Sequence, residues 1–406
     1  MNMIATRTIR VQLKPTPEQA ALLHQTMQEY TDCFNEVCQL AEVLKISNGL
    51  ELHRLTYAEH RARTHLPSQL ICAARVKATE AIKSVIALRK KQLATYQKRL
   101  KQAQKVGKQV KPLRLASTPR SRLTAIRYDA RSFRFDRNTR LVSLVHVQQP
   151  GQRRNRATIA VKIPFYYEQY LTAEWQQESA DLLYRKGAFW LHLVVSRAVP
   201  GSEPTGSAIG VDLGINRLAV TSHARFFGGS HLKETNNRSF RLRRSLQAKG
   251  TKSAKRHLKK LSGRLKRFQG DANHVLAKQI VNSCQPGDTL VMENLTDIRE
   301  RTKGRRQQRR AMSNWSFAQL QSFLAYKAAY RGINVECVDA RYSSQACSHC
   351  GYIDKRNRVR QSEFSCQHCG FSLNADLNAS RNLASRAKSV ARGPAVKGPI
   401  VSTLRS

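Results

Sequence analysis

Acidic side chains are scarce in this chain: 27 Asp and Glu stand against 71 Lys and Arg in 406 residues, a formal net charge of +44. An excess of that size strains a compact fold by self-repulsion and draws polyanions from solution, so nucleic acid is the expected partner. The basic residues are spread along the whole chain rather than confined to one amphipathic helix, which argues against a membrane-surface role. No apolar run approaches the about eighteen residues needed to span a bilayer, so no membrane partner is expected. The N-terminus Met-Asn-Met-Ile-Ala-Thr-Arg lacks the apolar stretch of a signal peptide. A cytoplasmic, nucleoid-associated location in a prokaryote is the expectation. Most cysteines lack any regular spacing: Cys33, Cys38, Cys72, Cys284 and Cys337 sit among apolar residues, which reads as reduced, buried thiols and speaks against a disulfide framework. With 41% hydrophobic residues the chain can bury several small cores, so two to four domains are expected.

Residues 7–13 alternate apolar and polar as a half-buried strand does, and Thr16-Pro17-Glu18 supplies an N-cap, a proline at the first helical position and an early acid. A helix follows, with Leu23, Met27, Tyr30, Phe34, Val37, Ala41 and Leu44 on one stripe; a second is expected over 69–106, with Ile82, Ile86, Leu93 and Leu100 on its packing face. From Lys111 the pattern turns to short alternating runs at 132–135, 141–147, 157–163, 181–184 and 189–196, with a hairpin turn at Arg185-Lys186-Gly187. These predict a small barrel or sandwich that the N-terminal strand joins across the helical insertion. A linker at 200–206 opens a further region: strand, tight turn and strand over 208–222, a basic helical stretch over 238–268, a strand at 289–295, a helix at 315–331 and a strand at 333–340. That alternation argues for an α/β sheet carrying insertions. The basic stretch contains no acid and has a narrow seam of Leu258, Leu261, Leu265 and Phe268, so it reads either as half of a helical hairpin facing phosphates or as a solvated helix. The basic loop 299–310 would suit guiding a single strand, or is a plain surface loop.

Three remote segments each place a carboxylate beside a strand: Asp212 in Ile-Gly-Val-Asp-Leu-Gly, Glu293 in Leu-Val-Met-Glu-Asn, and Asp376 in Asn-Ala-Asp-Leu-Asn. Gly210 and Gly214 would let the backbone and a substrate phosphate approach the first. Glu293 ends an apolar strand, where its charge is costly unless a metal or partner meets it. Asp376 precedes a helix over 377–387, whose N-terminus favours an anion. Singly, each could be a cap or an ion-pair partner; together they make an acidic pocket in a cationic protein, as metal-dependent phosphodiester hydrolysis requires. A local pattern is sharper still. Cys347-Ser-His-Cys350 and Cys366-Gln-His-Cys369 are two Cys-x-x-Cys knuckles, fifteen residues apart, each followed by glycine, Gly351 and Gly370. Four thiolates fit a tetrahedral structural zinc, with redox pairs as the alternative; His349 and His368 are then expected to meet solvent or phosphate.

At Gly-Val-Asp-Leu-Gly-Ile-Asn, Val-Met-Glu-Asn-Leu, Tyr-Ser-Ser-Gln-Ala-Cys-Ser-His-Cys-Gly, Cys-Gln-His-Cys-Gly and Asn-Ala-Asp-Leu-Asn-Ala-Ser-Arg-Asn-Leu, in this order, the chain resembles the TnpB proteins of the IS200/IS605 transposon group and the compact type V CRISPR effectors related to them. The resemblance implies an RNase H-like (RuvC) α/β nuclease domain with an inserted zinc ribbon, plus a β-barrel wedge domain with an inserted helical bundle. It divides the chain into a wedge at 1–15 and 111–200, a recognition bundle at 16–110, the nuclease at 207–342 and 371–390, the ribbon at 343–370 and a disordered tail at 391–406. It implies Asp212, Glu293 and Asp376 as ligands of two Mg²⁺ ions. The implied partners are a guide RNA derived from the transposon end and double-stranded target DNA bearing a short adjacent motif, with base pairing supplying the sequence choice. Direct transposase action on transposon ends and a nuclease-silent, RNA-guided repressor are the alternatives.

Overall fold

In the computed structural model, the described residues are 3–107, 109–149, 155–199, 204, 206–295 and 316–387. The basic loop 299–310, the tail beyond Ala391, Trp315 and most of the 200–206 linker lie outside them. The chain divides into two compact units, Thr6–Arg197 and Met1–Ala5 with Ala198–Ser406.

The first unit is one seven-stranded sheet with a helical insertion. Its strands are β1 (Met3–Lys14), β2 (Ile126–Asp129), β3 (Phe133–Asp136), β4 (Leu141–Val145), β5 (Arg156–Lys162), β6 (Gln176–Arg185) and β7 (Ala188–Val199), in the order β2-β6-β7-β1-β5-β4-β3. β1 does lie between strands from the far side of the helices. The hairpin turn sits at Lys186 and Gly187, both with positive φ (54° and 75°), the geometry that matches the twist of the flanking strands. Of the barrel or sandwich expected, the structure has a single seven-stranded sheet with β2 and β3 at the two ends of its strand order. Between β3 and β6 the Gln177 side-chain amide mimics a strand, accepting from Phe135 N at 3.4 Å and donating to Phe135 O at 2.9 Å.

Three helices, rather than the two expected, make the insertion: α1 (Pro17–Leu44), α2 (Gly49–Arg63) and α3 (Ser68–Gln104). Thr16 caps α1 reciprocally with Gln19. Phe34, Val37, Cys38 and Ala41 of α1 pack with Leu52 of α2 and with Ala78 and Ile82 of α3. Packing on α3 ends there. Ile86 and Leu93, expected on its buried face, are 46% and 43% exposed. Sequence periodicity marks a stripe but not the length over which another element covers it.

In the second unit a five-stranded sheet runs β10-β9-β8-β11-β12, from β8 (Ala208–Asp212), β9 (Arg217–Thr221), β10 (Phe226–Gly228), β11 (Thr289–Glu293) and β12 (Asn334–Val338). β8, β9 and β10 are antiparallel; β11 lies parallel between β8 and β12. As a central parallel strand, β11 is buried from Thr289 to Met292, which explains its unbroken apolar run. The basic stretch spans both arms of a hairpin, α4 (Ser230–Lys249) and α5 (Lys252–Asn282), turned at Gly250 with φ 64°. Its leucine seam is half-buried, and Lys255, Arg256, Lys259 and Arg264 are exposed. Leu276 and Ile280 of α5 and Leu320 and Leu324 of α6 (Phe317–Ala329) bury one face of the sheet. On the other face, Leu383 of α7 (Ala375–Ala384) packs with Val291 and Val338. The small hairpin β13 (Glu363–Ser365) and β14 (Ser372–Asn374) precedes α7. Of the five unspaced cysteines, Cys33, Cys38 and Cys284 are buried, which raises their thiols to about 12, 12 and 11. Cys72 is half-buried, and Cys337, on β12, is exposed, contrary to expectation.

Candidate functional site

Asp212 and Glu293 end neighbouring strands. β8 and β11 run parallel with Val211 opposite Met292, so the next residue on each strand is one of the two carboxylates, about 4.8 Å apart at the backbone. Asp376 does not precede its helix: it lies in the first turn of α7, where the Asn374 side chain accepts from Asp376 N at 3.2 Å and Leu377 N at 3.3 Å. What seats α7 there is Gly210. A Cβ on Gly210 would stand 1.8 Å from the Ser380 carbonyl oxygen and 2.6 Å from Ala384 N, so only glycine admits the helix backbone this close. The approach expected of a substrate phosphate at Gly210 is taken by the chain itself. Gly214 likewise serves the turn into β9, where a Cβ would meet Arg217 O at 2.7 Å.

The three acids sense one another. Burial, then the charges of Glu293 and Asp376, push the Asp212 carboxyl up to about 7, against the pull of Arg358. Arg358 reaches Asp376 with Nη2 at 3.5 Å from Oδ1. At the end of β11, Gln321 of α6 donates to the Glu293 carbonyl at 2.7 Å, fixing the strand terminus. Burial first, and then the neighbouring charges, favour the protonated form of Asp212, and carboxylate oxygens are donors of the kind that hard divalent cations take.

The four knuckle thiols converge: the Sγ atoms of Cys347, Cys350, Cys366 and Cys369 all lie within 4.8 Å of one another. The two knuckles repeat one hydrogen-bond pattern. Cys347 N donates to Tyr352 O at 3.0 Å and Gly351 N to Cys347 O at 2.9 Å; Cys366 N donates to Phe371 O at 2.9 Å and Gly370 N to Cys366 O at 3.1 Å. Gly351 and Gly370 have φ of 78° and 70°, which is why glycine follows each second cysteine. Burial raises the Cys350 thiol to about 12, whereas the Phe371 amide lowers Cys369 to about 6. Such a set reaches four thiolates only with a cation to balance them, so metal loading releases protons. His349 stacks on Phe371 at 5.3 Å and also hydrogen-bonds the Cys369 side chain, and His368 stacks on Tyr352 at 5.2 Å.

Sequence reasoning missed the residues that couple the two sites. Asn378 of α7 donates to Ala346 O at 2.8 Å and accepts from Ser348 N at 2.9 Å. One turn on, Asn382 donates to Ser343 O and Ala346 O, each at 2.8 Å. Asn357, fully buried, bridges the knuckles by donating to Gln345 O and Tyr352 O and accepting from Gln367 N. The signal was present in Asn378 and Asn382, four apart on one helix face; buried amides there need backbone partners.

Residues 192–299 match a family model described as "Probable transposase" (OrfB_IS605), and residues 317–383 match one described as "Cas12f1-like, TNB domain". A CRISPR-associated endodeoxyribonuclease Cas12f1 of Sulfoacidibacillus thermotolerans is 36% identical over 129 residues, 31% of this chain and 29% of that protein. A TnpB-like protein of Methanocaldococcus jannaschii is 36% identical over 96 residues, 23% of this chain and 34% of that protein. The chain thus spans about a third of the length of these two relatives. A solved structure titled "Cryo-EM structure of the Cas12f1-sgRNA-target DNA complex" aligns over 95% of this chain and 99% of that one, with TM-score 0.65 and 14% identity. At that identity the likeness speaks for the fold, a mixed α/β architecture with a half-barrel sheet. The resemblance to TnpB and Cas12f proteins read from the motifs therefore holds across the second half of the chain.

Proposed function

We propose that this protein is an RNA-guided DNA endonuclease of a transposable element, in which an RNase H-like (RuvC) domain hydrolyses guide-matched DNA. The observation that carries the reading is the meeting of Asp212 and Glu293 at the ends of adjacent parallel strands, with Asp376 on a helix that Gly210 seats against the same strand. In this reading Asp212, Glu293 and Asp376 hold two Mg²⁺ ions, and Cys347, Cys350, Cys366 and Cys369 hold a structural zinc. The chemistry that divalent cations supply at such a site is activation of a water and stabilisation of the leaving oxygen. The protein's part is to hold three carboxylates on rigid elements and to take up or release the Asp212 proton as cations come and go. Four thiolates close the shell of the zinc, whose role is therefore structural.

The helical insertion is assigned to recognition and the half-barrel sheet to a wedge that grips a guide RNA from the transposon end. The target is double-stranded DNA with a short adjacent motif, the protein reading backbone and shape while base pairing reads sequence. The exposed lysines and arginines of α4 and α5 suit phosphate contacts. In support, the relatives include a named endodeoxyribonuclease, and the solved complex is titled with an sgRNA and target DNA. Among the described residues no helix is long and apolar enough to cross a membrane.

The test is to purify the protein from a host carrying its native locus, sequence the RNA that accompanies it, and assay Mg²⁺-dependent cutting of a matching duplex. Asp212→Ala and Glu293→Ala should each lower cleavage by about a thousandfold or more while RNA and target binding stay nearly unchanged. Undiminished cutting by either variant would refute the site. Absence of bound RNA, with guide-independent nicking, would favour a transposase acting directly on transposon ends.

A further inference from the structure

The strand-rich unit displays a feature that its core does not use. After β5 the chain passes through Pro164 into a 3₁₀ turn, Phe165–Tyr170, of sequence Phe-Tyr-Tyr-Glu-Gln-Tyr, in which no residue is buried. Phe165 is 92% exposed and Tyr166 61%, so the stabilisation that burying these rings would give is forgone. Yet the turn is firmly held. The Tyr166 and Tyr170 hydroxyls lie 3.3 Å apart, and Gln169 Nε2 donates to Tyr166 O at 2.8 Å. Tyr166 stands edge-on to Tyr170 at 5.9 Å, and Tyr170 edge-on to the buried Trp175 at 5.3 Å. Arg7 lies over Tyr170 at 5.4 Å and Arg197 over Trp175 at 5.2 Å. The nearby acids Glu168 and Glu174 are paired, with Arg140 at 3.2 Å and Arg197 at 2.8 Å, and the exposed Lys162 precedes the turn in the chain.

We propose that Phe165 and Tyr166 form a stacking platform for unpaired bases of the RNA partner, an inference that rests on the RNA-guided reading above. Exposed flat rings on a pre-ordered turn cost little entropy on binding and accept any base, while Lys162 beside the turn and the chain's net charge of +44 favour a polyanion over a basic protein surface. RNA is favoured over target DNA because a folded guide RNA offers unstacked loops and bulges as soon as it binds, whereas the target enters as a duplex and leaves only its displaced strand unpaired.

The full-length protein, without Mg²⁺, is titrated with a single-stranded RNA carrying 2-aminopurine, with the same sequence as single-stranded DNA, and with a blunt RNA duplex. In the double variant Phe165→Ala and Tyr166→Ala, affinity for the RNA strand should fall about tenfold and 2-aminopurine quenching should be lost. Duplex affinity should hold. The slope of log affinity against log salt should not change, since no phosphate contact is removed. Phe165→Trp should keep the affinity; Phe165→Leu, apolar but not flat, should lose it. Equal RNA binding by parent and double variant, an equal loss on the duplex, a larger loss on the DNA strand, or full affinity in Phe165→Leu would each overturn the platform. If the parent itself binds no RNA, the RNA-guided reading falls too; if it binds RNA and the double variant binds as well, only the platform falls.

Discussion

The carboxylate site and the thiol cluster share one helix yet are built on opposite logics. The thiols come from two copies of a local hairpin, each closed by its own amide-to-carbonyl bonds and its own positive-φ glycine. The carboxylates sit on three separated elements, which are brought together by the pairing of β8 with β11 in register and by α7 lying against Gly210. A local site carries its geometry in its spacing, whereas a dispersed one depends on every contact that brings its elements together. α7 links them, with Asp376 at one end of it and Asn378 and Asn382 gripping the first knuckle.

The largest separation between the two sites should come from Cys350→Ser combined with Cys369→Ser. Binding energy in a four-thiolate zinc site is folding energy, about 10 kcal/mol or more. The double variant should lose zinc by elemental analysis and become sensitive to limited proteolysis across 343–374, and cleavage should fail as α7 loses the knuckle it grips. Parent protein purified without zinc would refute the zinc site, and a double variant that still cuts at the parental rate would show that the sites are independent.

Gly210→Ala attacks the dispersed site without removing a thiol. The added carbon meets backbone atoms of Ser380 and Ala384, which cannot rotate away, so α7 must shift. Overpacking of this kind costs roughly 1–3 kcal/mol, and misplacing Asp376 by about an ångström should lower cleavage about a hundredfold with zinc retained. Gly228→Ala, where nothing lies within 4 Å of the new carbon, is the control and should be silent. A smaller effect is expected of Asn382→Ala, which leaves the Ser343 and Ala346 carbonyls without this donor. About 1–3 kcal/mol of stability should go, read as faster zinc release to a chelator and a lower melting temperature. Unchanged release would mean that α7 does not brace the knuckle.

The same contrast explains what the chain let a reader see. Cys-x-x-Cys-Gly twice over is a complete local specification, so the thiol cluster was legible to the residue. Asp212, Glu293 and Asp376 could be nominated from strand ends and family resemblance, but not the reason Asp376 arrives: a glycine can mark a tight turn, a phosphate approach or a helix crossing, and only packing chose the last. Arg358 and Asn357 gave no signal because their partners are remote backbone or carboxylate groups. In the first unit, the Thr16-Pro17 cap and the Lys186-Gly187 turn are short-range chemistry and were read correctly. α2 was missed because its apolar positions are few, with Leu52 as its hydrophobic core residue. The short strands left barrel and sandwich open as readings, because strand count alone does not say how the end strands pair.

The finest test concerns the charge that the carboxylates hold in common. In the folded protein Asp212 binds its proton up to about pH 7, whereas in the unfolded chain an ordinary carboxyl has lost it by about pH 4. Between those values the folded state holds more protons, so this residue makes stability fall as pH rises from about 4 to 7, and the deficit persists above 7. Asp212→Asn removes the deficit. Without added divalent cation the variant should be more stable than the parent by up to about 4 kcal/mol at pH 8, about 1.4 kcal/mol for each pH unit between 4 and 7, and indistinguishable from it near pH 4. Added Mg²⁺ should shrink the gap by stabilising the parent alone, and less so below pH 7, where the ion must displace a proton. Thermal unfolding across pH, with and without Mg²⁺, decides it. A gap that is the same at pH 4 and pH 8 would mean that the Asp212 carboxyl is not raised, and a gap indifferent to Mg²⁺ that three neighbouring acids do not by themselves make a cation site.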